Sequence, residues 1–185
     1  MYIEKLDAET REPLAGAVLR LVDSGGNQAA EWTTEKEAKK LSGLKPGEYT
    51  LEEIKAPEGC LLLKEPLKIQ ITNAEGVQTF TLTNQKIEVD ILKKDKESGG
   101  LLPGAKLKLV RNDENQTLVR EWESSGVPEV FKGLPAGSYI LEEVSAPEGY
   151  AIGKPLVFEV SGTEEKQEIV LENEKIVTEF ERRTV

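Results

Sequence analysis

Residues 43–60 read GLKPGEYTLEEIKAPEGC, and residues 133–150 read GLPAGSYILEEVSAPEGY. Eleven of the 18 aligned positions are identical, at an offset of 90 residues. Shorter matches at offsets of 88 and 89 lie on either side; they pair Leu14–Ala17 with Leu102–Ala105, and Thr81–Asn84 with Val170–Asn173. A repeat at a fixed spacing means that one structural unit occurs twice in succession.

The repeat predicts the domain organisation of the chain. We expect one domain at residues 1–86 and a second at residues 87–175. Residues 176–185 are interpreted as a tail or as the start of a further module. Each copy is long enough to bury a core of its own.

Turn residues and alternating apolar residues predict β-strands in both copies. Gly, Pro, Asn and Asp cluster at short intervals, as in Asp23–Asn27 and Lys45–Gly47, and short alternating runs such as residues 67–71 lie between them. This pattern is typical of an all-β sandwich. The stretch Thr34–Lys40 has a helical composition, but its counterpart Ser124–Pro128 contains Gly and Pro, so we interpret both as turns between strands.

The composition excludes several classes of function. The 185 residues contain no histidine and one cysteine, which removes imidazole bases, Cys/His dyads, internal disulfides and cysteine-based zinc sites. We therefore expect no metal and no cofactor. The net charge of −10 repels phosphate backbones, so nucleic acid is not an expected partner. No apolar run is long enough to span a membrane, and we expect any signal and anchor to lie outside this fragment.

Polar residues occur in each copy at positions where the alternation points inward. On a strand, successive side chains face opposite sides of the sheet, so residues two apart share a face. The apolar pairs Tyr49/Leu51 and Phe80/Leu82, for example, are each followed in phase by a polar residue. In the first copy the inward polar residues are Lys5, Glu53 and Asn84; in the second they are Lys93, Glu143 and Asn173.

Three buried polar groups of these types can react with one another. Burying them without partners costs several kcal/mol, so we expect them to lie together. Burial favours the uncharged forms of an amine and of a carboxylic acid. An uncharged lysine can attack the asparagine side-chain carbonyl while the acid donates to it, releasing ammonia and leaving an amide crosslink in a single turnover. The alternatives are a buried Lys-Glu salt bridge with Asn as a hydrogen-bonding neighbour, or surface residues whose phase is misread.

A set of motifs occurs in both copies. In the first copy the motifs are Lys5-Leu-Asp7, Pro13-Leu-Ala-Gly-Ala17, Gly43 to Gly59 and Thr83-Asn84-Gln-Lys86; in the second they are Lys93-Lys-Asp95, Leu102-Pro-Gly-Ala105, Tyr139 to Tyr150 and Asn173-Glu-Lys175. These motifs resemble those of the Cna protein B-type domains of Gram-positive surface proteins and SpaA-type pilins. The resemblance covers residues 1 to about 175, and its most specific element is the E-box YxLxExxAPxGY.

The resemblance implies two tandem prealbumin-like or Ig-like β-sandwich domains, each with an autocatalytic Lys-Asn isopeptide bond. It implies a bond from Lys5 to Asn84 with Glu53 as the catalytic acid. In the second copy it implies a bond from Lys93 to Asn173 with Glu143 as the acid. Cys60 departs from the motif, which has an aromatic residue at that position.

The implied function is a structural stalk module of an adhesin or pilin at the cell wall of a Gram-positive bacterium. We expect a monomer whose partners are the neighbouring modules of the same surface protein, and no enzyme beyond self-crosslinking. The alternative is a ligand-binding adhesin domain that recognises a host matrix protein through an exposed apolar patch. We expect Trp32 and Trp122, which match between the copies, to lie in the core instead. A pilus backbone role would require a pilin-motif lysine and a sorting signal, and neither is found.

Overall fold

Fourteen β-strands and no helix occur in the part of the chain that the computed structural model describes, which is residues 1–73, 76–163 and 166–177. The strands of the first repeat, here domain 1, are β1 (Tyr2–Asp7), β2 (Val18–Asp23), β3 (Gln28–Thr33), β4 (Lys39–Lys40), β5 (Gly47–Lys55), β6 (Leu67–Ile71) and β7 (Thr79–Asn84). The strands of the second repeat, here domain 2, are β8 (Glu88–Asp95), β9 (Pro103–Arg111), β10 (Leu118–Ser125), β11 (Glu129–Lys132), β12 (Gly137–Ser145), β13 (Leu156–Val160) and β14 (Lys166–Asn173).

Each domain contains one sheet of three strands and one of four. In domain 1 the strand orders are β4-β1-β7 and β3-β2-β5-β6. In domain 2 they are β11-β8-β14 and β10-β9-β12-β13. The two domains thus repeat one β-sandwich topology, which confirms the predicted fold class.

The first and last strands of domain 1 are direct neighbours. Strands β1 and β7 pair in parallel, with Lys5 opposite Leu82 and Asp7 opposite Asn84. Because paired parallel strands run in the same direction, the carboxyl ends of the two strands lie side by side. The polar residues at those ends are therefore brought to one region of the sandwich.

The period-2 alternation places the apolar side chains of both domains inside. The core of domain 1 contains Ile3, Ala17, Leu19, Leu21, Trp32, Tyr49, Leu51, Ile69, Ile71 and Leu82. The buried apolar residues of domain 2 include Val89, Ile91, Ala105, Leu107, Leu109, Phe131, Tyr139, Leu141, Val160 and Leu171. Each domain thus has its own core, with charged residues on the alternate positions of its strands.

Turn chemistry explains the hairpin between β2 and β3. Oδ1 of Asp23 accepts hydrogen bonds from the backbone amides of Gly25 and Asn27, both at 2.9 Å. Gly26 has a φ of 82°, a left-handed conformation that glycine adopts without strain. The sequence predicted this turn, and the strands that it joins are paired antiparallel.

Three local expectations differ from the structure. The stretch Thr34–Lys40 is not wholly a turn, because its last two residues form β4 and pair with Tyr2 and Ile3. Its counterpart Ser124–Pro128 is not wholly a turn either, because Ser124 and Ser125 are the last residues of β10. Trp32 lies in the core as expected, but Trp122 is only half-buried. Trp122 lies on the edge strand β10, whose other residues are mostly exposed, and one contact of its ring is edge-on to Phe131, at a centroid distance of 5.4 Å.

Among the described residues there is no helix with the length and apolar character needed to cross a membrane. The predicted tail at residues 176–185 lies outside the described residues, except for Ile176 and Val177.

Candidate functional site

The three inward polar residues of domain 1 come from three strands and meet inside the sandwich. Lys5 lies on β1, Glu53 on β5 and Asn84 on β7. Their exposed fractions are 4%, 9% and 0%. Polar groups buried this deeply interact with one another more strongly than they would in water.

Glu53 bridges the other two residues of this cluster. Its Oε1 atom lies 3.0 Å from Nζ of Lys5, and its Oε2 atom accepts a hydrogen bond of 2.8 Å from Nδ2 of Asn84. The backbone amide of Leu63 also donates to Oε2 at 2.8 Å, and Nδ2 of Asn84 donates to the carbonyl oxygen of Leu61 at 2.6 Å. The carboxyl group of Glu53 therefore contacts both the amine and the amide nitrogen.

The corresponding residues of domain 2 form a second cluster. Lys93 on β8, Glu143 on β12 and Asn173 on β14 are also buried. Nδ2 of Asn173 donates to both carboxyl oxygens of Glu143, at 3.0 and 2.8 Å, and to the carbonyl oxygen of Ala151 at 2.6 Å. Nζ of Lys93 lies 3.9 Å from Oε1 of Glu143 and donates to the carbonyl oxygen of Leu171 at 3.2 Å.

Burial changes the protonation of both lysines. It lowers the pKa of Lys5 from its ordinary value, and the nearby Glu53 carboxylate opposes that change. Burial lowers the pKa of Lys93 in the same way, opposed by Glu143. Removal from water disfavours the charged ammonium, so both amines lose their proton more readily than a surface lysine does.

The asparagine amides face their glutamates through nitrogen rather than oxygen. Oδ1 of Asn84 and Oδ1 of Asn173 are buried without a hydrogen-bond partner, while each Nδ2 donates to a glutamate. The sequence-based expectation was that the acid donates to the side-chain carbonyl. The observed orientation instead places the carboxyl beside the nitrogen that would leave.

Two buried aspartates beside the clusters end sequence motifs but were assigned no role from the sequence. Asp7 and Asp95 each lie two residues beyond the clustered lysine of their domain and are 2% and 3% exposed. The same alternation that pointed to the lysines continues to these positions. They could therefore have been found as the next inward residue on each strand.

Other candidate features do not form sites. The loop at Asn112–Asn115 is a polar turn in which Asp113 accepts hydrogen bonds from the backbone amides of Asn115 and Thr117. Among the described residues, no group of three or more Cys, Asp or Glu side chains is arranged to hold a metal ion. Trp122 and Val144 line a groove of about 270 Å³ on domain 2.

Comparison with known proteins gives the family. The family model described as SpaA prealbumin-like fold domain matches residues 1–86 and residues 87–175. The chain belongs to the SpaA prealbumin-like fold domain family. Its two SpaA domains are thus one family unit repeated, as the internal repeat indicated. No curated protein matches the chain.

Solved structures similar to the two SpaA domains include a fragment of a pilus adhesin and an ancillary pilin. The Bacillus anthracis TIE protein is 29% identical with a TM-score of 0.58, over 95% of this chain and 33% of that one. The C-terminal fragment of the pilus adhesin SpaC from Lactobacillus rhamnosus GG is 14% identical with a TM-score of 0.52, over 95% and 97% of the respective chains. The Streptococcal ancillary pilin is 21% identical with a TM-score of 0.41, over 95% and 61%. The chain spans about a third of the length of the TIE protein.

Proposed function

We propose that the chain is a structural stalk module in which each domain forms its own Lys-Asn isopeptide bond. The observation that carries this proposal is the burial of a lysine, a glutamate and an asparagine in both domains, with the glutamate next to both of the other side chains. Glu53 and Glu143 are the proposed catalytic acids. The family of the chain and the shared arrangement of the two clusters support the proposed crosslinking. The reaction requires no external substrate.

The reaction needs only the three side chains. Transfer of one proton from Nζ of Lys5 to Oε1 of Glu53, across 3.0 Å, gives an uncharged amine and a carboxylic acid. Nζ then forms a bond to Cγ of Asn84. The acid gives its proton to Nδ2, the Cγ–Nδ2 bond breaks, ammonia leaves, and the carboxylate takes one proton from Nζ. Glutamate ends as the acid, and no oxidant or further reactant is consumed.

The fold compensates for the low reactivity of an amide by holding the reacting groups close together. An amide is a poor electrophile, but reactants held in contact reach effective molarities of about 10⁵–10⁸ M. Glu53 contacts both Lys5 and Asn84 and so brings the two proposed reactants to one buried site. Lys93, Glu143 and Asn173 would react by the same steps. Because the product remains in the protein, each site turns over once.

The position of each proposed isopeptide bond indicates a mechanical role. Strands β1 and β7 are the first and last of domain 1, and a bond between them would carry tension past the rest of the sandwich. Closing a loop of roughly 80 residues also stabilises a fold by about 4–5 kcal/mol in the chain-entropy account. The module would thus resist force, heat and proteolysis without a disulfide.

We place this function outside the cell, in a pilus or adhesin of a Gram-positive bacterium. The similar structures named as a pilus adhesin fragment and an ancillary pilin fit this setting. The proposed partners are neighbouring modules of the same surface protein, and the proposed state is a monomer. Recognition of a host matrix protein stays a prediction.

Single-molecule stretching tests the mechanical role. The chain is pulled from its two ends, and the length released by each domain is recorded. We expect no release of the residues between the crosslinked positions, even at forces that unfold ordinary sandwiches. In the Glu53→Gln/Glu143→Gln variant we expect each domain to release roughly 260–290 Å, the extended length of about 80 residues.

The single variants are the matched controls. Glu53→Gln should release one domain length and leave domain 2 closed, and Glu143→Gln should do the converse. Release of two full domain lengths from the wild-type chain would refute the proposed stalk mechanism.

A further inference from the structure

A short backbone segment contacts two of the three reactive groups in each domain. In domain 2 it is residues 150–153, where the carbonyl oxygen of Ala151 accepts from Asn173 and the amide of Gly153 donates to Oε2 of Glu143 at 2.5 Å. We call it the orienting segment. Its two contacts fix the side-chain amide that would be attacked and the carboxyl that would move the proton.

Domain 1 has the same orienting segment at residues 60–63. The carbonyl oxygen of Leu61 accepts from Asn84, and the amide of Leu63 donates to Glu53. These are backbone contacts, so they depend on where the segment lies rather than on its side chains. A contact that fixes the start of the orienting segment would therefore also fix the positions of the asparagine amide and the glutamate carboxyl.

A side-chain anchor is present in domain 2. The hydroxyl of Tyr150, the first residue of the segment, donates to Oδ2 of Asp95 at 2.6 Å. Oδ1 of Asp95 accepts from the backbone amides of Glu97 and Ser98, both at 2.8 Å, and Nζ of Lys175 lies 3.4 Å from Oδ2. The Tyr150 hydroxyl and these amides hold the pKa of Asp95 well below its usual range, so it stays a carboxylate and a strong acceptor.

Domain 1 lacks that anchor because Cys60 occupies the corresponding position. Asp7 keeps the two backbone bonds to Oδ1, from Glu9 and Thr10 at 2.8 Å. Its Oδ2 atom, however, is buried without a hydrogen-bond partner, and Nζ of Lys86 lies 3.6 Å away. An isolated bridge from Cys60 to Lys86 still connects the backbone, as does one from Tyr150 in domain 2. What is missing is the side-chain hydroxyl.

We propose that Asp95 and Tyr150 are positioning residues for the domain 2 crosslink, and that Asp7 is a preformed acceptor for which domain 1 lacks the donor. This inference rests on the crosslinking proposed above. The hydroxyl of Tyr150 holds the orienting segment against β8, and the segment holds Asn173 and Glu143. In domain 1 a tyrosine at position 60 would complete the same chain of contacts.

The crosslinking rate of each domain is compared only with that of variants of the same domain, because the Lys-Glu pairs of the two domains also differ in distance. The Lys-Glu distance is shorter in domain 1, at 3.0 Å, than in domain 2, at 3.9 Å. A direct comparison of crosslinking rates between the domains would mix that difference with the effect of the hydroxyl. Within one domain, a Tyr/Phe pair changes the hydroxyl alone.

The test follows crosslinking in newly made full-length chain. Cell-free synthesis is stopped after a short pulse, samples are digested at intervals, and the loss of ammonia from each domain is followed by peptide mass. Tyr150→Phe should slow the domain 2 reaction about 2-fold to 12-fold, the rate equivalent of one net hydrogen bond, and leave domain 1 unchanged. Cys60→Tyr should react faster in domain 1 than Cys60→Phe by a similar factor.

A second measurement distinguishes a positioning role of the Tyr150 hydroxyl from a purely stabilising one. Tyr150→Phe is also made in the Glu143→Gln background, and its free energy of unfolding is measured there. Slower domain 2 crosslinking in a Tyr150→Phe chain that remains folded supports the positioning role. A Tyr150→Phe chain that crosslinks at the wild-type rate but is less stable overturns that role. Equal domain 1 crosslinking rates for Cys60→Tyr and Cys60→Phe overturn it as well. If Cys60→Tyr does not fold, the crosslinking rate of Tyr150→Phe alone tests the positioning proposal. Absence of ammonia loss from both wild-type domains refutes the crosslinking itself, whereas loss at unchanged rates refutes only the positioning.

Discussion

Nζ of Lys5 lies 3.0 Å from Oε1 of Glu53 in the interior of domain 1. Both side chains are almost fully buried, and within the described residues no further group donates to Oε1 or accepts from Nζ. A buried ion pair kept only for stability is favourable when the remaining donors and acceptors are satisfied. The poor satisfaction of this pair favours a reactive pair over a structural salt bridge.

Replacing Lys5, the proposed nucleophile, should lower the stability of domain 1 far more than replacing a surface cation. Lys5→Met removes the amine and leaves Glu53 buried without its cation, so we expect the free energy of unfolding of domain 1 to fall by at least about 3–5 kcal/mol. Denaturant unfolding measures it. Arg20→Met is the control, because Arg20 and Glu52 are 2.7 Å apart but 40% and 33% exposed, and its loss should cost less than about 1 kcal/mol. Equal costs would mean that the Lys5 pair acts as an ordinary salt bridge.

The crosslinking rate should fall at pH values below the ordinary range for a lysine. In the proposed reaction each lysine-glutamate pair shares one proton, and the acid gives that proton to Nδ2 of the asparagine. Burial lowers the pKa of Lys5 and Lys93 from 10.5, so raising the pH through a lowered pKa removes the shared proton and leaves a carboxylate that cannot donate. Pulse-synthesised chain is allowed to react at a series of pH values from neutral to alkaline, and ammonia loss is timed in each domain. A rate that stays constant until the pH approaches 10.5 would contradict the lowered pKa values.

The two cores should be equally sensitive to truncation. Leu51 and Leu141 occupy matching positions and are both 0% exposed. In the Glu53→Gln/Glu143→Gln background, where no crosslink forms, Leu51→Ala and Leu141→Ala should each destabilise their own domain by about 2–5 kcal/mol. The comparison is Val77→Ala, at a residue that is 69% exposed, which should change stability by less than about 0.5 kcal/mol. A large effect of Val77→Ala, or none at the two leucines, would show that the cores are assigned wrongly.

The alternation of residues along the strands was sufficient to predict the fold class and the inward direction of the polar side chains. Tyr49, Leu51 and Glu53 follow one another in phase on β5, and all three are buried. The reason is geometric, since the two-residue period fixes the face of a strand without knowledge of its neighbours. The roles of Glu53 and of the residues it contacts remain proposals.

Other features had no signal in the sequence. The carbonyl of Leu61 and the amide of Leu63 are backbone groups, and nothing in the residue types shows that they contact the cluster. The two-residue strand at Lys39–Lys40 depends on a partner far away in the chain. Trp122 matches Trp32 in position within the repeat, but its exposure depends on the edge location of β10. These features arise from tertiary pairing rather than from local pattern.

The intact mass of the folded 185-residue chain tests the central claim most directly. We predict a mass below the encoded value by two ammonia molecules for the wild type, by one for Glu53→Gln and for Glu143→Gln, and by none for the double variant. Each mass is compared with the encoded mass of the same variant. A wild-type chain that is folded, as judged by circular dichroism, and still carries its full encoded mass would contradict the account.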